Sequence, residues 1–187
     1  MPLEPPAPDA ENAEDIRLML EAKNGRQEAF AALVRRHQRA LMNFFCRTGV
    51  SMEAEDLVQQ SFLRLYRYRN RYQPSAKFTT FLYLIARQVR TDALRKRKRG
   101  VELAEKVADA APSDEPPSPA QADVTARTEE ALGRLPEGMR DVVVLGILQS
   151  LGYEEVGRIL RIPTGTVKSR MFSALRRLRA DIGESNA

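Results

Sequence analysis

One 27-residue stretch, 100–126, constrains this chain more than any other feature: it holds four Pro, many Ala, and six acids against one base. A packed helix or strand does not accept that density of Pro, so the stretch reads as a linker. Fully extended it would reach on the order of 90 Å at about 3.3–3.6 Å per residue. The segments on either side, 16–99 and 127–182, are each the size of a small domain with a modest core. Residues 1–15 carry four Pro within the first eight positions and five acids, and read as a disordered tail; 183–187 form a short second tail.

Both segments follow helical periodicity. Phe30, Leu33, Val34, His37, Leu41 and Phe44 recur at three- and four-residue steps until Gly49 stops the run. Ser51 can cap the next helix, over 51–70, with Glu53, Glu55 and Asp56 in its positive first turn. A polar stretch around Pro74 precedes a further helix, from about Lys77 to Arg99. A second helical unit spans about Thr125 to Ile182. Val142–Leu145 would suit a buried strand by propensity, but no second strand exists to pair with it, so helix is expected there too. The predicted fold is all-α: two small helical domains on a tether.

Composition excludes several classes. One Cys and no Trp rule out an internal disulfide framework and a Cys-rich zinc module. His37 and Cys46 leave few parts for a metal site or a nucleophile–base pair, so neither cofactor nor metal is expected. The longest apolar run, Val142–Leu148, is broken by Gly146 and falls far short of the ~20 residues that span a bilayer. The opening Met-Pro-Leu-Glu-Pro-Pro has neither a basic leader nor an apolar core, so a cytoplasmic, reducing location is expected.

The net charge of +5 conceals segregation: −5 over 1–15, +13 over 16–99, −5 over 100–126 and +2 over 127–187. A basic block of that size points to a polyanion. In the second unit, YEEVGRIL, then RIP, then TGTVKSRMFSALRRLRADI has helix–turn–helix spacing, with Thr164 able to cap the second helix. At 100° per residue, Val167, Met171, Leu175, Leu178 and Ile182 share one stripe. Ser169, Arg170, Ser173, Arg176 and Arg177 lie opposite. Val156 to Ala180 contains seven bases and no acid. Hydroxyls and guanidiniums on one face suit phosphates and base edges in a duplex major groove.

The first unit is built differently. Seven of the twelve Phe and Tyr residues lie between Phe62 and Tyr83, interleaved with Arg64, Arg67, Arg69, Arg71 and Lys77. Flat rings beside bases suit a single strand. Phe62, Tyr66, Phe78 and Phe81 continue the apolar stripes and are expected in the core. Tyr68, Tyr72 and the loop Gln73–Lys77 are the strand candidates. On the following helix Tyr83, Arg87, Arg90 and Leu94 point away from the apolar face, and Asp92 is expected to pair with a nearby base. Five consecutive bases at 95–99 suit duplex phosphates. On the helix over 51–70, Asp56, Gln60, Leu63 and Arg67 share the far face, where an outward Leu is either incidental or a partner's anchor.

AEDLVQQSFLRLY at 54–66, AKFTTFLYLIARQVRTDALRKRKR at 76–99, LP at 135–136, YEEVGRIL and IPTGTVKSRMFSALRRLR occur in the order and spacing of one family. The chain resembles an extracytoplasmic-function (ECF) sigma factor of bacterial RNA polymerase. The resemblance implies sigma region 2 at about 16–99 and sigma region 4 at about 127–182. It implies that Asp56, Gln59, Gln60 and Leu63, with Arg67 on the same face, dock on core RNA polymerase. It implies that the loop 70–80 takes an extruded base of the melted minus-ten element. There the candidate contacts are Tyr68, Arg71, Tyr72, Gln73, Ser75, Lys77, Thr79 and Thr80, followed by Tyr83, Arg87 and Arg90 on the helix. It implies that the helix 164–180 reads the minus-thirty-five duplex through Thr164, Thr166, Lys168, Ser169, Arg170, Ser173, Arg176 and Arg177. Family linkers thread polymerase channels otherwise used by RNA, which the acidic 100–126 fits. Many relatives are restrained by an anti-sigma protein.

The family usually has Trp at the position of Phe81, Asn at Gln88, Gly at Arg161, and Arg at Ser173 and Leu175. Altered melting contacts, an altered turn and an unusual minus-thirty-five preference follow from those departures. Two rival functions remain. A conventional two-domain regulator would bind duplex without polymerase and would leave Leu63 and the aromatic loop unused. A DNA-processing enzyme would need a nucleophile or clustered carboxylates.

Overall fold

The computed structural model describes residues 8–103 and 128–184. Of the linker expected over 100–126, residues 100–103 continue the preceding helix and the rest lies outside the described residues, as do 1–7 of the tail expected over 1–15 and 185–187 of that expected over 183–187.

The first unit is a four-helix assembly: α1 (Pro8–Lys23), α2 (Gln27–Arg47), α3 (Ala54–Tyr68) and α4 (Phe78–Leu103). Short 3-10 turns, Ser51–Glu53 and Arg69–Arg71, flank α3. Helix begins at Pro8 rather than after residue 15, and the reason is visible in the packing. Asp15, Leu18, Met19 and Ala22 are buried against α2, so an acidic start that looks uncompensated in sequence is held by tertiary contacts. α2 buries Ala29, Leu33, Leu41, Phe44 and Phe45 at helical spacing. It stops where Thr48 Oγ1 donates back to the Phe44 carbonyl at 2.7 Å and Gly49 takes a φ of 88° that glycine adopts without strain. α3 buries Ala54, Leu57, Val58, Ser61, Phe62 and Leu65 and packs against both α2 and α4. α4 is about 39 Å long at 1.5 Å per residue and carries the exposed bases of 95–99 near its end.

The second unit comprises α5 (128–134), α6 (Glu137–Val143), a wide π turn (Val144–Leu148), α7 (Tyr153–Leu160) and α8 (Thr164–Glu184). Val142–Leu145, strand-like by composition, is helical and buried, and no strand occurs among the described residues. Between α7 and α8 the chain turns at Arg161, whose φ of 55° and ψ of 47° are left-handed. The Ile162 amide donates to the Gly157 carbonyl at 3.0 Å. A side chain at 157 would meet the Ile162 carbonyl at 2.9 Å, so only glycine allows this corner to close. Val167, Met171 and Ala174 form the buried stripe of α8, with Leu175 and Leu178 packed at its edge.

α4 packs on α7, and α2 meets the π turn. One apolar cluster consequently runs from Leu18 and Met19 through Phe44, Leu65, Phe78 and Val89 into Val142, Val156, Ile159 and Met171.

Candidate nucleic-acid and partner interfaces

The outward face of α3 presents Asp56, Gln59, Gln60, Leu63 and Arg67, all exposed, at steps that align them on one side of the helix. Leu63 is 49% exposed. Beside it, α2 and α3 enclose a groove of about 370 Å³ lined by Phe30, Val34, Gln38, Val58, Gln59, Phe62, Leu63 and Tyr66. Phe30 meets Tyr66 edge-on at 5.0 Å and Phe62 at 6.5 Å. An exposed Leu over an apolar groove with a polar rim is what a partner helix requires.

The loop between α3 and α4 is divided in its exposure. Tyr68, Arg71, Gln73, Ser75 and Lys77 are exposed and Thr79 is half-buried. Tyr72 is buried, against the sequence expectation. Its ring packs 5.4 Å from Phe81 and 6.4 Å from Phe78, because burying it closes the core under the loop. Its hydroxyl has no hydrogen-bond partner, and burial pushes its pKa up. Phe62 and Phe78 are core as expected, and Phe81 and Tyr66 are half-buried.

Further along α4, Thr80, Tyr83 and Arg90 are also buried, and what covers them is the second unit. Thr80 Oγ1 donates to Glu155 Oε1 at 3.0 Å, and Lys77 Nζ lies 3.4 Å from Glu155 Oε2. The same Oε2 accepts from the Gly152 amide at 2.9 Å. Tyr83 OH donates to Gln149 Oε1 at 2.5 Å, and burial pushes that phenol's pKa up. Arg90 Nη1 donates to Asp141 Oδ1 at 2.7 Å while Nη2 donates to Glu137. Burial pushes the Asp141 carboxyl up, and Arg90 pulls it back only in part. Carboxylates of the second unit thus occupy donors on α4 that would otherwise be open to phosphates. Arg87 is half-buried beside this cluster. Asp92 accepts from Arg64 at 2.8 Å, the pairing anticipated for it.

On α8, Lys168, Ser169, Arg176 and Arg177 are exposed, and Thr164, Thr166, Arg170 and Ser173 are half-buried. Ser169 Oγ donates to the Thr166 carbonyl at 3.1 Å. A cleft of about 580 Å³ lies between the start of α8 and the α3–α4 loop, lined by Ser75, Ala76, Lys77, Tyr153, Glu155, Arg158, Thr164 and Lys168 among others. Thr164 and Lys168 of the expected duplex-reading helix therefore share one cleft with Ser75 and Lys77 of the expected strand-reading loop.

Sequence reasoning placed no function on Glu155, Asp141 or Gln149. Glu155 carries only the ordinary signal of an acid in a first helical turn, and nothing local marks its second partner on α4.

Residues 33–100 match the family model for sigma-70 region 2, and residues 131–180 match that for sigma-70 region 4. The chain belongs to the sigma-70 family. RNA polymerase sigma factor CarQ of Myxococcus xanthus is 31% identical over 163 residues, spanning 87% of this chain and 94% of that protein. ECF RNA polymerase sigma factor SigW of Bacillus subtilis (strain 168) is 30% identical over 177 residues, spanning 87% and 93%. These relatives make it a sigma factor of the ECF group. The sigma factor RpoE from Bartonella quintana, solved in complex with the anti-sigma factor NepR, shares the fold with a TM-score of 0.73 at 24% identity. That match covers 82% of this chain and 96% of the other. The general role of a sigma factor, binding core RNA polymerase and directing it to promoters, applies to this chain. No described helix is long and apolar enough to cross a membrane.

Proposed function

We propose that this sigma factor docks on core polymerase through Asp56, Gln59, Gln60, Leu63 and Arg67 of α3. In this reading it places the basic face of α8 in the minus-thirty-five major groove and captures a minus-ten base with the α3–α4 loop. The observation that carries the docking assignment is the exposure of Leu63 over the apolar groove, on a face left uncovered by the second unit.

Two modest recognition surfaces on one chain reinforce each other through effective concentration. Duplex contact fixes register. The loop binds a base only once it is unstacked, a step costing a few kcal/mol, so strand opening is driven by preferential binding of the melted state. No bond is made or broken by the protein in this scheme, and it acts in the cytoplasm where polymerase is. Glu155, Gln149, Asp141 and Glu137 must leave α4 before Thr80, Tyr83 and Arg90 can meet DNA. An anti-sigma factor is a further proposed partner, supported by the fold shared with RpoE of the NepR complex.

The decisive experiment is run-off transcription by core polymerase on a promoter library with and without the chain. Start sites that depend on it are expected, and their absence at every salt concentration refutes the assignment. Leu63→Glu combined with Gln60→Glu is expected to weaken core binding and leave minus-thirty-five duplex affinity intact. Equal loss of both would reject the docking face.

A further inference from the structure

α1 lies wholly outside both matched family segments, yet it holds both ends of the loop assigned to strand capture. At one end, Asn12 Oδ1 accepts from the Phe78 amide at 2.8 Å. Phe78 opens α4, so this amide is one of those a helix cannot satisfy internally. At the other end, Lys23 Nζ donates to the Tyr72 carbonyl at 3.1 Å. Asn12 and Lys23 are three helical turns apart, about 16 Å, and so share a face of α1. Between them buried Asp15 accepts from Arg36 Nε at 2.8 Å and pairs with His37 Nε2 at 2.9 Å, fastening α1 to α2. The His37 ring in turn packs 5.2 Å from Phe78. The exposed loop centre has little of its own: the Ser75 amide donates to the Gln73 carbonyl at 2.8 Å. Its shape is set from its ends.

We propose that Asn12 and Lys23 are positioning residues for minus-ten strand capture, holding the loop Gln73–Lys77 in the conformation that receives the base. The inference rests on the reading of that loop as the base-binding element. A loop already ordered before binding loses less freedom on taking its ligand, and affinity rises accordingly.

The test uses holoenzyme assembled from the full chain and core polymerase. It selects strands from a single-stranded DNA library randomised over the minus-ten window, and affinity for the enriched strand is measured by anisotropy. Asn12→Leu and Lys23→Met are each expected to weaken that affinity about five- to twentyfold and to flatten the base preference, with core and minus-thirty-five duplex binding within about twofold. Asn12→Asp and Lys23→Arg, which keep the acceptor and the donor, are expected to restore both. Unchanged strand affinity in the Leu and Met variants overturns the inference. A loss shared equally by core binding, or one that the Asp and Arg variants do not restore, also overturns it. Replacing Gln73–Lys77 by Gly and Ser tests the underlying reading separately. If strand capture survives that replacement, the loop is not the base site and both claims fall.

Discussion

Glu155→Ala tests whether the two units are latched by the contacts seen on α4. Glu155 serves three donors, but only two of them cross between the units: Thr80 Oγ1 and Lys77 Nζ. The Gly152 amide belongs to the same turn as Glu155, so its loss affects open and closed forms alike and cancels. Lys77 is 44% exposed at its side chain, and solvent reduces its pair to a few tenths of a kcal/mol. Thr80 is the larger contribution. It is 1% exposed and donates to a carboxylate, a bond worth about 1.5–3 kcal/mol net. The closed-to-open ratio should therefore fall by about 2 kcal/mol, or roughly 30-fold. Dyes at Ser51→Cys and Ala180→Cys in a Cys46→Ser background would report this as loss of the short-distance population. Thr80→Val in the Glu155→Ala background removes the stranded hydroxyl and should recover much of the closure, because the orphaned donor, not the missing carboxylate alone, opens the interface. An unchanged distance distribution in Glu155→Ala, or no recovery in the double variant, refutes the latch.

Three further outcomes follow from single residues. Arg161→Gly should stabilise the chain by about 0.5 kcal/mol, since relief of a left-handed φ is worth about 1–2 kcal/mol and glycine returns part of it as unfolded-state entropy; thermal unfolding should show a rise of about 1–2 °C. Burial pushes the Asp15 carboxyl up, but the hydrogen bonds and charges of His37 and Arg36 outweigh it and hold the group below its ordinary value of 3.8. Its contribution to α1 docking is thus complete above that value and lost as pH falls through the lower native pKa; amide exchange of α1 should show this, and Asp15→Asn should abolish that pH dependence. Arg176→Ala should weaken minus-thirty-five binding alike across sequences and reduce the slope of log affinity against log salt by about one, if it contacts phosphate; a change confined to one base position would make it a base reader instead.

Local pattern made the elements legible where burial follows helical spacing. The stripe of α8, the end of α2 ahead of Gly49 and the outward face of α3 could be read from local spacing, and an Asp92 on the apolar side signalled a basic partner without naming Arg64 on α3. Contacts between distant segments could not be read that way. Tyr72 looks like Tyr68, an aromatic among bases, and only the proximity of Phe78 and Phe81 puts one ring inside and leaves the other out. Pro8–Asp15 has the composition of a tail, but Asp15 meets His37 and Arg36 more than twenty residues away. Spacing sets Tyr83, Arg87, Arg90 and Leu94 opposite the apolar face of α4, yet Tyr83 and Arg90, with Thr80 beside them, are buried. Their burial depends on Glu155, Gln149 and Asp141, and no periodicity within α4 encodes those.

The arrangement also limits what the chain can do without rearranging. Ser75 and Lys77 line the same cleft as Thr164 and Lys168. Promoter elements centred near minus ten and minus thirty-five lie roughly 85 Å apart, taking about 25 base pairs at about 3.4 Å each. One closed molecule therefore cannot read both, and the units must separate on the promoter. α4 contributes at most about 39 Å from the loop at its start to the end where the connecting segment begins. The rest must come from residues 104–127, which covalent geometry limits to about 80–86 Å, and from the second unit itself, about 26 Å across. Deleting about twenty of those residues leaves a segment that spans no more than roughly 14 Å, and about 14 Å with the 39 Å of α4 and about 26 Å of the second unit falls short of the promoter. That deletion should abolish transcription that depends on the minus-thirty-five element while the holoenzyme still captures an isolated minus-ten strand. Undiminished minus-thirty-five dependence in the shortened chain would mean that the two elements are not bridged by this tether.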